Sequence, residues 1–438
     1  MFKHFRLTVF ITLPALLVGC TVHPVGEKEE RHLAHEEGKA FTAVEVSSLG
    51  EHPTEDDLVR RALQCNQSLL QKYWEWRSAI EQIPQDGTEP GNVSLFAGMD
   101  ITKGAIRGSS STLGIGNDPM ADILLKPKLS TAAKRALENA RAAGFRFRKA
   151  QFELRSKLLT AYAEYALTAE LLRLEEENVQ LIKTVSSAVE AKNRAGLGGQ
   201  QDLLRTENEL DLTQNELATF QSILPGERAG LNALLNRAPD APIPVPENVA
   251  SSKPLRNNEE ALLKLAAERN PELLALAHET SAEKAAAKLA SLQYIPDISL
   301  SANTDLAGIT QSLMGMVTLP LFRYEAINAA VAQAEANIKA KEAMRRQSTN
   351  DIAATLVMDL YTVRDSERQL QLFTGTILPR AEQAVSITRS SYETGQASLL
   401  DFLDTQRSLI ALKRMKATLS ATQEKRVAEI EALIGRPI

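Results

Sequence analysis

The feature that most constrains this chain is an internal repeat centred on two glycines. The stretch YETGQASLLDFLDTQR at 392–407 corresponds to NRAGLGGQQDLLRTEN at 193–208 when Gly395 is superposed on Gly196. The register continues without a gap to the C-terminal ends of both copies, where ALIGR meets ALLNR. Self-similarity at this long period indicates a tandem duplication, in which each copy turns at a glycine between two long helices.

Composition and apolar spacing predict that helices make up most of the chain. Only 5% of the residues are aromatic, and Ala, Leu, Glu, Gln and Arg dominate the middle of each half, which is typical of coiled coils. Leucine recurs at every seventh residue between 203 and 231, which favours a supercoiled neighbour. The predicted long helices are 131–195, 201–236, 325–394 and 399–434. At about 1.5 Å per residue, the longest span on the order of 100 Å.

Shorter helices precede the long ones in each half, over 55–81 and 259–292, and Asn66 of the first matches Asn270 of the second. Because proline lacks the N–H donor and clashes with the preceding turn, it ends or bends helices. The prolines expected to end a helix are Pro84, Pro90 and Pro296, and those expected to bend one are Pro225 and Pro379.

The N-terminus has the pattern of an export signal. Lys3 and Arg6 precede an apolar run from 7 to 18 that is too short for a membrane span. The run ends in Leu17-Val18-Gly19-Cys20, which resembles the lipobox of bacterial lipoproteins. That resemblance implies cleavage before Cys20, lipid on its sulfur and, because Thr21 follows, sorting to the outer membrane. The alternative is an ordinary signal peptide with a chance cysteine.

The segment that follows, from Thr21 to about His52, is polar and predicts a solvated linker between the lipid and the folded body. His32 and His35 lie beside two glutamates and leave open a metal site, for which the short charged tract gives little support.

Two segments change from helical spacing to alternation of apolar and polar residues, to which Phe96 is the one exception. These are 93–101 and 298–306, each followed by a turn segment (102–118 and 307–312) and a second strand (120–125 and 313–319). Alternation over about nine residues is what a membrane-spanning barrel strand needs. A soluble hairpin packed on a core fits each strand alone, but a lone hairpin is marginally stable in water. Since four strands are too few to close a membrane barrel, several chains must share one.

The order and spacing of several motifs resemble outer-membrane efflux proteins of the TolC type, over nearly everything after the linker. The motifs are Asn270-Pro271, Pro296-Asp297-Ile298, Leu319-Pro320-Leu321-Phe322, Tyr392 with Gly395, Asp401 to Arg407, and Ala432 to Arg436. The first half departs from them, with Gln67 in place of Pro271 and Gln201 in place of Leu400, as unequal repeats do.

The resemblance implies a mainly α fold with a small transmembrane β part, formed by two tandem repeats of helix, β-hairpin and long coiled-coil helical hairpin. It implies a homotrimer with a shared 12-stranded β-barrel and a periplasmic α-helical barrel. It also implies three other partners: a periplasmic adaptor (membrane fusion) protein, an inner-membrane transporter and the lipid of the outer membrane. The expected segments are 1–19 signal peptide, 20–52 lipid-anchored linker, 53–236 first repeat, 237–256 Pro-rich linker and 257–438 second repeat.

The resemblance also assigns roles to residues around the two glycines. It implies a periplasmic gate formed by Asp401, Asp404, Arg205 and Tyr392. It implies adaptor-docking tips formed by Gly196, Gly198, Gly199, Gly395, Ala397 and Ser398. Two simpler interpretations stay open: Ser398-x-x-Asp401 has the spacing of a helix capping box, and the glycines can serve only to make the turns.

The function these observations favour is a passive exit duct of a tripartite efflux or type I secretion system. The alternatives are a periplasmic coiled-coil adaptor, or a structural envelope lipoprotein without a channel. An enzyme is disfavoured because the chain has no nucleophile elbow, HExxH or Gly-rich phosphate loop, and His278 has the setting of a surface histidine. No cofactor or metal is expected. A net charge of −5 argues against a nucleic-acid partner. The substrate (drug, metal ion or protein) is not encoded in these patterns.

The lipobox interpretation predicts that Cys20→Ser yields mature protein without acyl chains and slows its arrival at the membrane. The alternating strands do not depend on the lipid, so the variant should still insert. Intact-mass spectrometry of purified wild type and variant measures the difference directly. Wild-type mature protein without acyl chains would contradict lipidation at Cys20.

Overall fold

The computed structural model describes residues 21–42, 49–50, 53–88, 92–102, 105–116, 126–196, 198–246, 258–305 and 311–437. In chain order the elements are α1 (Glu27–Thr42), α2 (Glu55–Cys65), α3 (Gln67–Gly87), β1 (Asn92–Thr102), β2 (Ala105–Gly116), α4 (Lys126–Arg194), α5 (Gln200–Leu234), α6 (Glu259–Arg269), α7 (Pro271–Ser291), β3 (Asp297–Asp305), β4 (Gln311–Thr318), α8 (Tyr324–Leu372), α9 (Leu378–Glu393) and α10 (Leu399–Ile434). A 3₁₀ turn at Leu292–Tyr294 follows α7, and a π-helical turn at Phe373–Ile377 joins α8 to α9.

These elements group into two compact units. The strand-bearing unit is formed within residues 1–38, 72–147 and 272–348, and the helical unit within residues 39–71, 148–271 and 349–438. Each unit takes segments from both halves of the chain, so the compact units do not coincide with the two predicted repeats.

Four long helices confirm the main prediction from apolar spacing. Helix α4 has 69 residues, α5 has 35, α8 has 49 and α10 has 36. Helix α10 begins and ends at the predicted residues, and α4 begins five residues earlier than predicted, because Pro127 falls in its first turn, where proline is tolerated. Within the part of the chain that the structure describes, no helix is both long enough and apolar enough to cross a membrane.

Four of these prolines differ in their effect on the helices, and Pro90 lies outside the described residues. Helix α7 and its 3₁₀ turn end before Pro296, as predicted, and the predicted irregularity at Pro379 is the π-helical turn just before it. Pro84, in contrast, lies inside α3, so the prediction that it ends the helix is wrong. Pro225 lies inside α5, which continues without interruption, and the bend expected there stays a prediction. Pro84 removes one N–H donor from α3. The helix continues past it, and the preceding residues Ile80 and Ile83 are fully buried.

The strands form one antiparallel sheet in the order β1-β2-β3-β4. A row of backbone partners crosses it, from Val93 to Ile115, from Ile115 to Ala302 and from Ala302 to Leu313. The register shifts between Asp100 and Ile101. Strands β1, β3 and β4 confirm the alternating segments found in the sequence.

Strand β2 corrects the prediction for the second strand of the first hairpin. It lies at Ala105–Gly116, inside the segment 102–118 that was expected to be a turn. The predicted strand at 120–125 lies outside the described residues. Because β2 is rich in serine and glycine, it has no clear apolar alternation, and it is defined by backbone pairing with β1 along its length.

Helix α1 corrects the interpretation of a solvated linker after Thr21. Its Glu30 is buried and accepts a 2.8 Å hydrogen bond from Trp76 Nε1, and the Trp76 ring stacks on Phe147 with centroids 5.6 Å apart. Arg31 Nε donates to Glu27 one turn before it at 2.8 Å. The charged tract is therefore a packed helix, because its acids have partners. Glu30 accepts from the buried Trp76 indole, and Glu27 pairs with Arg31 four residues on.

In the helical unit, two asparagines hold the short helices in matching ways. Asn66 separates α2 from α3, and its side-chain amide donates to the Leu234 carbonyl at 3.0 Å. Asn270 separates α6 from α7 and donates to the Leu433 carbonyl at 2.8 Å. Both acceptors lie at the end of a long returning helix. The correspondence of Asn66 with Asn270, noted in the sequence, therefore extends to their contacts.

Asp359 of α8 is a buried carboxylate with an incomplete set of partners. Its side chain is 1% exposed and lies 3.1 Å from Arg426, which also donates to Glu429 at 2.6 Å. Its second oxygen, Oδ2, has no hydrogen-bond partner among the described residues. Burial, reinforced by the charge of Glu429 and opposed by Arg426, raises the pKa of Asp359 to about 6.

We therefore expect Asp359→Asn to stabilise the protein near neutral pH. Because the pKa of Asp359 is raised above its ordinary value of 3.8 in the folded protein, the folded state holds this proton more tightly than the unfolded state does. The resulting stabilisation is fully present at low pH and is lost as pH rises through about 6. Asparagine removes that loss, so the variant should melt a few degrees higher than wild type at about pH 7.5, with a smaller gain at about pH 5. Thermal unfolding of the detergent-solubilised protein, followed by circular dichroism, measures both values.

Asp365→Asn is the matched control. Asp365 is on the same helix but is exposed, and hydrogen bonds from Arg368 and Gln369 lower its pKa, so this variant should gain nothing at either pH. A melting temperature for Asp359→Asn that is below wild type at both pH values would contradict the prediction.

Candidate functional site

The first glycine turn joins α4 to α5 in the helical unit. Gly196 has a left-handed backbone (φ +73°), and its N–H donates to the Asn193 carbonyl at 3.0 Å. Gly199 is extended and forms the N-cap of α5 without a side-chain cap. A Cβ at Gly198 would lie 3.2 Å from the Asn193 nitrogen, whereas one at Gly199 would meet nothing within 4 Å. The turn thus requires glycine at 196 for its conformation but not at 199.

The second turn joins α9 to α10 and is capped by side chains. Gly395 has φ +76°, and the N–H of Ala397 donates to the Ser391 carbonyl at 3.1 Å. Ser398 and Asp401 form a reciprocal capping box: the Asp401 N–H donates to Ser398 Oγ at 3.1 Å, and the Ser398 N–H donates to the Asp401 carboxylate at 3.2 Å. The hydrogen bond from the Ser398 side chain, with that from its backbone, lowers the pKa of Asp401. Asp401 is therefore the helix cap that the sequence spacing allowed.

An apolar cluster next to the turns brings α4, α5, α9 and α10 together. Its buried members are Ile182, Val189, Leu399, Phe402 and Leu403. Tyr392 packs against it, with its ring stacked on Phe402 at 6.1 Å and Lys192 Nζ 4.6 Å from its centroid. Burial, helped by the charge of Asp202, raises the pKa of Tyr392. Tyr392 thus has a packing role in this chain.

Asp404 lies one turn beyond the cap, and its carboxylate is exposed. Its side chain is 57% exposed and lies 3.3 Å from Arg407 of the same helix. Arg407 also holds Glu209 of α5, with Nε 2.9 Å from Glu209 Oε1. The Glu209 side chain is only 10% exposed. Arg407 therefore connects the two hairpins through its pair with the buried acid Glu209. It also pairs with the exposed acid Asp404.

Arg205 was predicted to be the partner of Asp404, but the described residues of this chain form no ion pair between the two; Asp404 pairs with Arg407 instead. It lines a surface groove of about 520 Å³ on α5, together with Glu209 and Arg407. Two leucines on the same groove are exposed, Leu204 by 53% and Leu212 by 63%. The groove combines exposed apolar surface with charge at the level of the turns.

Arg407 and Glu209 were missed as site residues in the sequence. Asp404 and Arg407 have the i,i+3 spacing of a helical ion pair, which is a detectable local signal. The bond to Glu209 joins residues 198 apart in the chain, and no local pattern predicts it. A similar missed contact lies further along, where Arg414 binds both Glu175 and Glu216.

Other predicted positions lie elsewhere. Cys20 is outside the described residues. His32 is exposed and 3.9 Å from Glu36, and among the residues that the structure describes no three His, Cys, Asp or Glu side chains group to hold a metal. His278 is not an isolated surface histidine, since it bonds Glu138 at 2.7 Å and stacks on Phe145.

Comparison with known proteins identifies the class that this fold defines. Residues 262–436 match the family model described as outer membrane efflux protein. The open-state structure of the Neisseria gonorrhoeae MtrE outer membrane channel superposes with a TM-score of 0.76 at 17% identity, over 90% of this chain and 94% of MtrE.

Two relatives extend the likeness along the chain. Outer membrane protein OprJ of Pseudomonas aeruginosa is 24% identical over 435 residues, covering 92% of this chain and 89% of OprJ. Cobalt-zinc-cadmium resistance protein CzcC of Cupriavidus metallidurans is 26% identical over 316 residues, covering 70% of this chain and 72% of CzcC. These likenesses, with the family match over residues 262–436, confirm the resemblance to outer-membrane efflux proteins of the TolC type that was stated from the sequence.

The turn geometry predicts that Gly199→Trp folds normally but loses transport. A Cβ at 199 would meet nothing within 4 Å in the chain, so we expect a bulky ring there to disturb the predicted contact with an adaptor more than it disturbs the fold. Gly230→Trp, on the same helix and also in open space, is the matched control and should transport normally. Gly196→Ala should instead lower the melting temperature, because its φ of +73° strains any other residue.

The measurements are the amount of folded protein in the membrane and the resistance of the host cells to exported compounds. Parallel loss of folded protein and resistance in Gly199→Trp would show that the glycine serves only the turn.

Proposed function

We propose that the chain is the exit duct of a tripartite efflux or type I secretion system in the outer membrane. In this role it conducts substrates passively from an inner-membrane transporter across the periplasm and the outer membrane. The chain acts as a homotrimer, in which three sheets close into a 12-stranded barrel and the long helices form a periplasmic tunnel.

The observation that carries this proposal is the four-stranded sheet with its two outer strands, β1 and β4. Among the described strands these two edges have no partner. In lipid, unpaired backbone N–H and C=O groups are too costly to leave exposed, so only a closed barrel is viable. Three copies supply twelve strands and close both edges of each sheet.

The matching contacts of Asn66 and Asn270 support duplication as the origin of the two halves. Their acceptors, Leu234 and Leu433, are equivalent in the repeat register set by Gly196 and Gly395. The proposed segments accordingly stay at 53–236 and 257–438, with a proline-rich linker at 237–256.

The turns are proposed to contact a periplasmic adaptor. Gly198, Gly199 and Ala397 present small side chains or none, which allows another backbone to approach closely. Ser398 is exposed but engaged in its capping box. The N-terminal lipid at Cys20 is proposed as a second attachment to the outer membrane.

The alternatives are an adaptor or an envelope lipoprotein without a channel. A channel-forming trimer conducts ions in a planar bilayer, and neither alternative does. CzcC is named for resistance to cobalt, zinc and cadmium, and another relative, FusA of Burkholderia cepacia, for resistance to fusaric acid. Metal ions and small organic compounds are thus both candidate substrates, alongside proteins.

The proposed gate is a ring of three Asp404 side chains at the periplasmic mouth. Asp404 is exposed and beyond the helix cap, and Arg205 of a neighbouring hairpin is its proposed partner in the trimer. Exposed pairs of this kind are worth about 0.2–1 kcal/mol each. Three copies within a Debye length of about 8 Å repel one another and attract cations.

We expect Asp404→Ala to raise single-channel conductance in planar bilayers, because it removes the charges that hold the mouth closed. Replacing Asp401 and Asp404 together should abolish block by multivalent cations. Asp365→Ala is the matched control, since Asp365 is also exposed and pairs with an arginine three residues on, at 2.7 Å; its conductance should equal wild type.

Each protein is first confirmed as a trimer by mass in mild detergent. A monomeric wild type would overturn the shared barrel itself. Trimers whose conductance and cation block are unchanged in the double variant would remove both aspartates from the gate and leave the duct intact.

A further inference from the structure

A basic cleft lies in the strand-bearing unit between the start of α4 and the end of α7. It has a volume of about 740 Å³, and its cations are Lys134, Arg141, Lys284 and Lys288. Pro24 and Val25, from the segment before α1, form its rim. None of the predicted functions of the chain uses these residues.

The cleft keeps an excess of positive charge after its ion pairs are counted, because two of its four cations have no acidic partner among the described residues. Its one acid, Glu138, is already engaged by Arg141 at 2.9 Å and by His278 at 2.7 Å; the hydrogen bond from His278 lowers the pKa of Glu138. Lys284 is 61% exposed and only 3.7 Å from Glu342. Lys134 and Lys288 are exposed and form no ion pair with any described residue.

The cleft lies close to the base of the β-sheet. Lys128, six residues before Lys134, forms an ion pair with Asp297, the first residue of β3. At 1.5 Å per residue, Lys134 is about 9 Å along α4 from that contact. Lys288 lies only three residues before the end of α7. Both lysines therefore lie near the ends of the elements that lead into the sheet.

Exposed apolar and aromatic residues occur at the same level. Leu319, Leu321 and Phe322, which follow β4, are 56%, 58% and 101% exposed. Tyr324 stacks on Tyr294 at 5.9 Å. Aromatic residues flanking strands are typical of the interface between hydrocarbon and headgroups.

The rim of the cleft adds an exposed apolar side chain. Val25 is 97% exposed. Its neighbour Gly26 has φ +101°, and a Cβ there would clash with the Arg141 guanidinium, so the segment lies directly against the cations. The Val22 N–H donates to the Gly87 carbonyl at 2.8 Å and fixes this segment on α3. Val25 is five residues after Cys20, the proposed lipid attachment.

We propose that the basic cleft binds the phosphate-bearing headgroup of an anionic phospholipid in the inner leaflet of the outer membrane. Lys134, Lys284 and Lys288 contact the phosphate, and Val25 inserts among the apolar groups of the bilayer. Juxtamembrane cations near an apolar anchor attract anionic lipid in this way. The inference rests on the proposed outer-membrane location. Lipid binding at the cleft sets the depth of the protein in the bilayer independently of the barrel.

The test is native mass spectrometry of the full-length trimer in detergent supplemented with phosphatidylglycerol or phosphatidylcholine. Wild type should retain phosphatidylglycerol preferentially, at roughly one per chain, and higher salt should weaken the retention. The double variant Lys134→Glu/Lys288→Glu should lose about tenfold or more of that retention. Lys183→Glu/Lys339→Glu changes the net charge equally at exposed lysines outside the cleft and should retain lipid like wild type.

Equal retention of both lipids by wild type, or equal loss in both double variants, would overturn the proposal. So would displacement of phosphatidylglycerol by millimolar inorganic phosphate, since the cleft would then bind a free anion. Trimer mass and single-channel conductance are recorded for every variant. If they are normal while selective lipid retention is absent, the lipid inference fails and the exit duct stands; if wild type neither trimerises nor conducts, the proposed function fails.

Discussion

Buried carboxylates bound by arginines of neighbouring helices are the contacts on which the helical unit depends. Three such acids are at most 8% exposed as whole residues, and each pairs across two helices: Glu175 with Arg414, Glu209 with Arg407, and Glu431 with Arg155. Every pair has one member on α10. A buried charge that loses its partner costs about 3–5 kcal/mol. Long helices with narrow apolar stripes could slide past one another, and these pairs fix their register.

The same constraint explains which part of the turn region is free to change partners. Arg407 binds Glu209 and Asp404 at once, but only Asp404 is exposed. Release of Glu209 would leave an unpaired buried charge, whereas an exposed pair contributes about 0.2–1 kcal/mol. Asp404 is therefore the member of the three that can exchange partners while the hairpins stay packed. This is the property that a gate residue needs, because the gate must move without unfolding its support.

The sequence predicted those features that are set by local patterns. The bounds of α10, the glycine turns and the Ser398–Asp401 cap all depend on residues within a few positions of one another. The single helices predicted over 55–81 and 259–292 are wrong in one respect, since each is divided at an asparagine, Asn66 or Asn270. Strand β2 was misplaced because its pairing with β1, rather than its own alternation, defines it. Helix α1 was missed because its acids are satisfied by partners distant in sequence, such as Trp76.

The candidate site divides in the same way. Asp401 and Asp404 were found from their spacing after Gly395, yet the structure separates them into a cap and an exposed charge. Glu209 was not found, because its burial and its bond to Arg407 exist only once two hairpins are side by side. A sequence shows which residues are charged, but the neighbouring helix decides which of those charges are free.

The two turns, although equivalent in the repeat, have diverged in how they are capped, and this divergence fits two different roles. Helix α10 begins with a reciprocal capping box, while α5 begins at Gly199 with no side-chain cap. A side-chain cap contributes about 1 kcal/mol, so the first turn of α5 is the less firmly held of the two. The capped turn holds the start of α10 firmly while the exposed Asp404 can still exchange partners, which suits the proposed gate. The uncapped, glycine-rich turn offers an adaptable backbone, which suits the proposed docking.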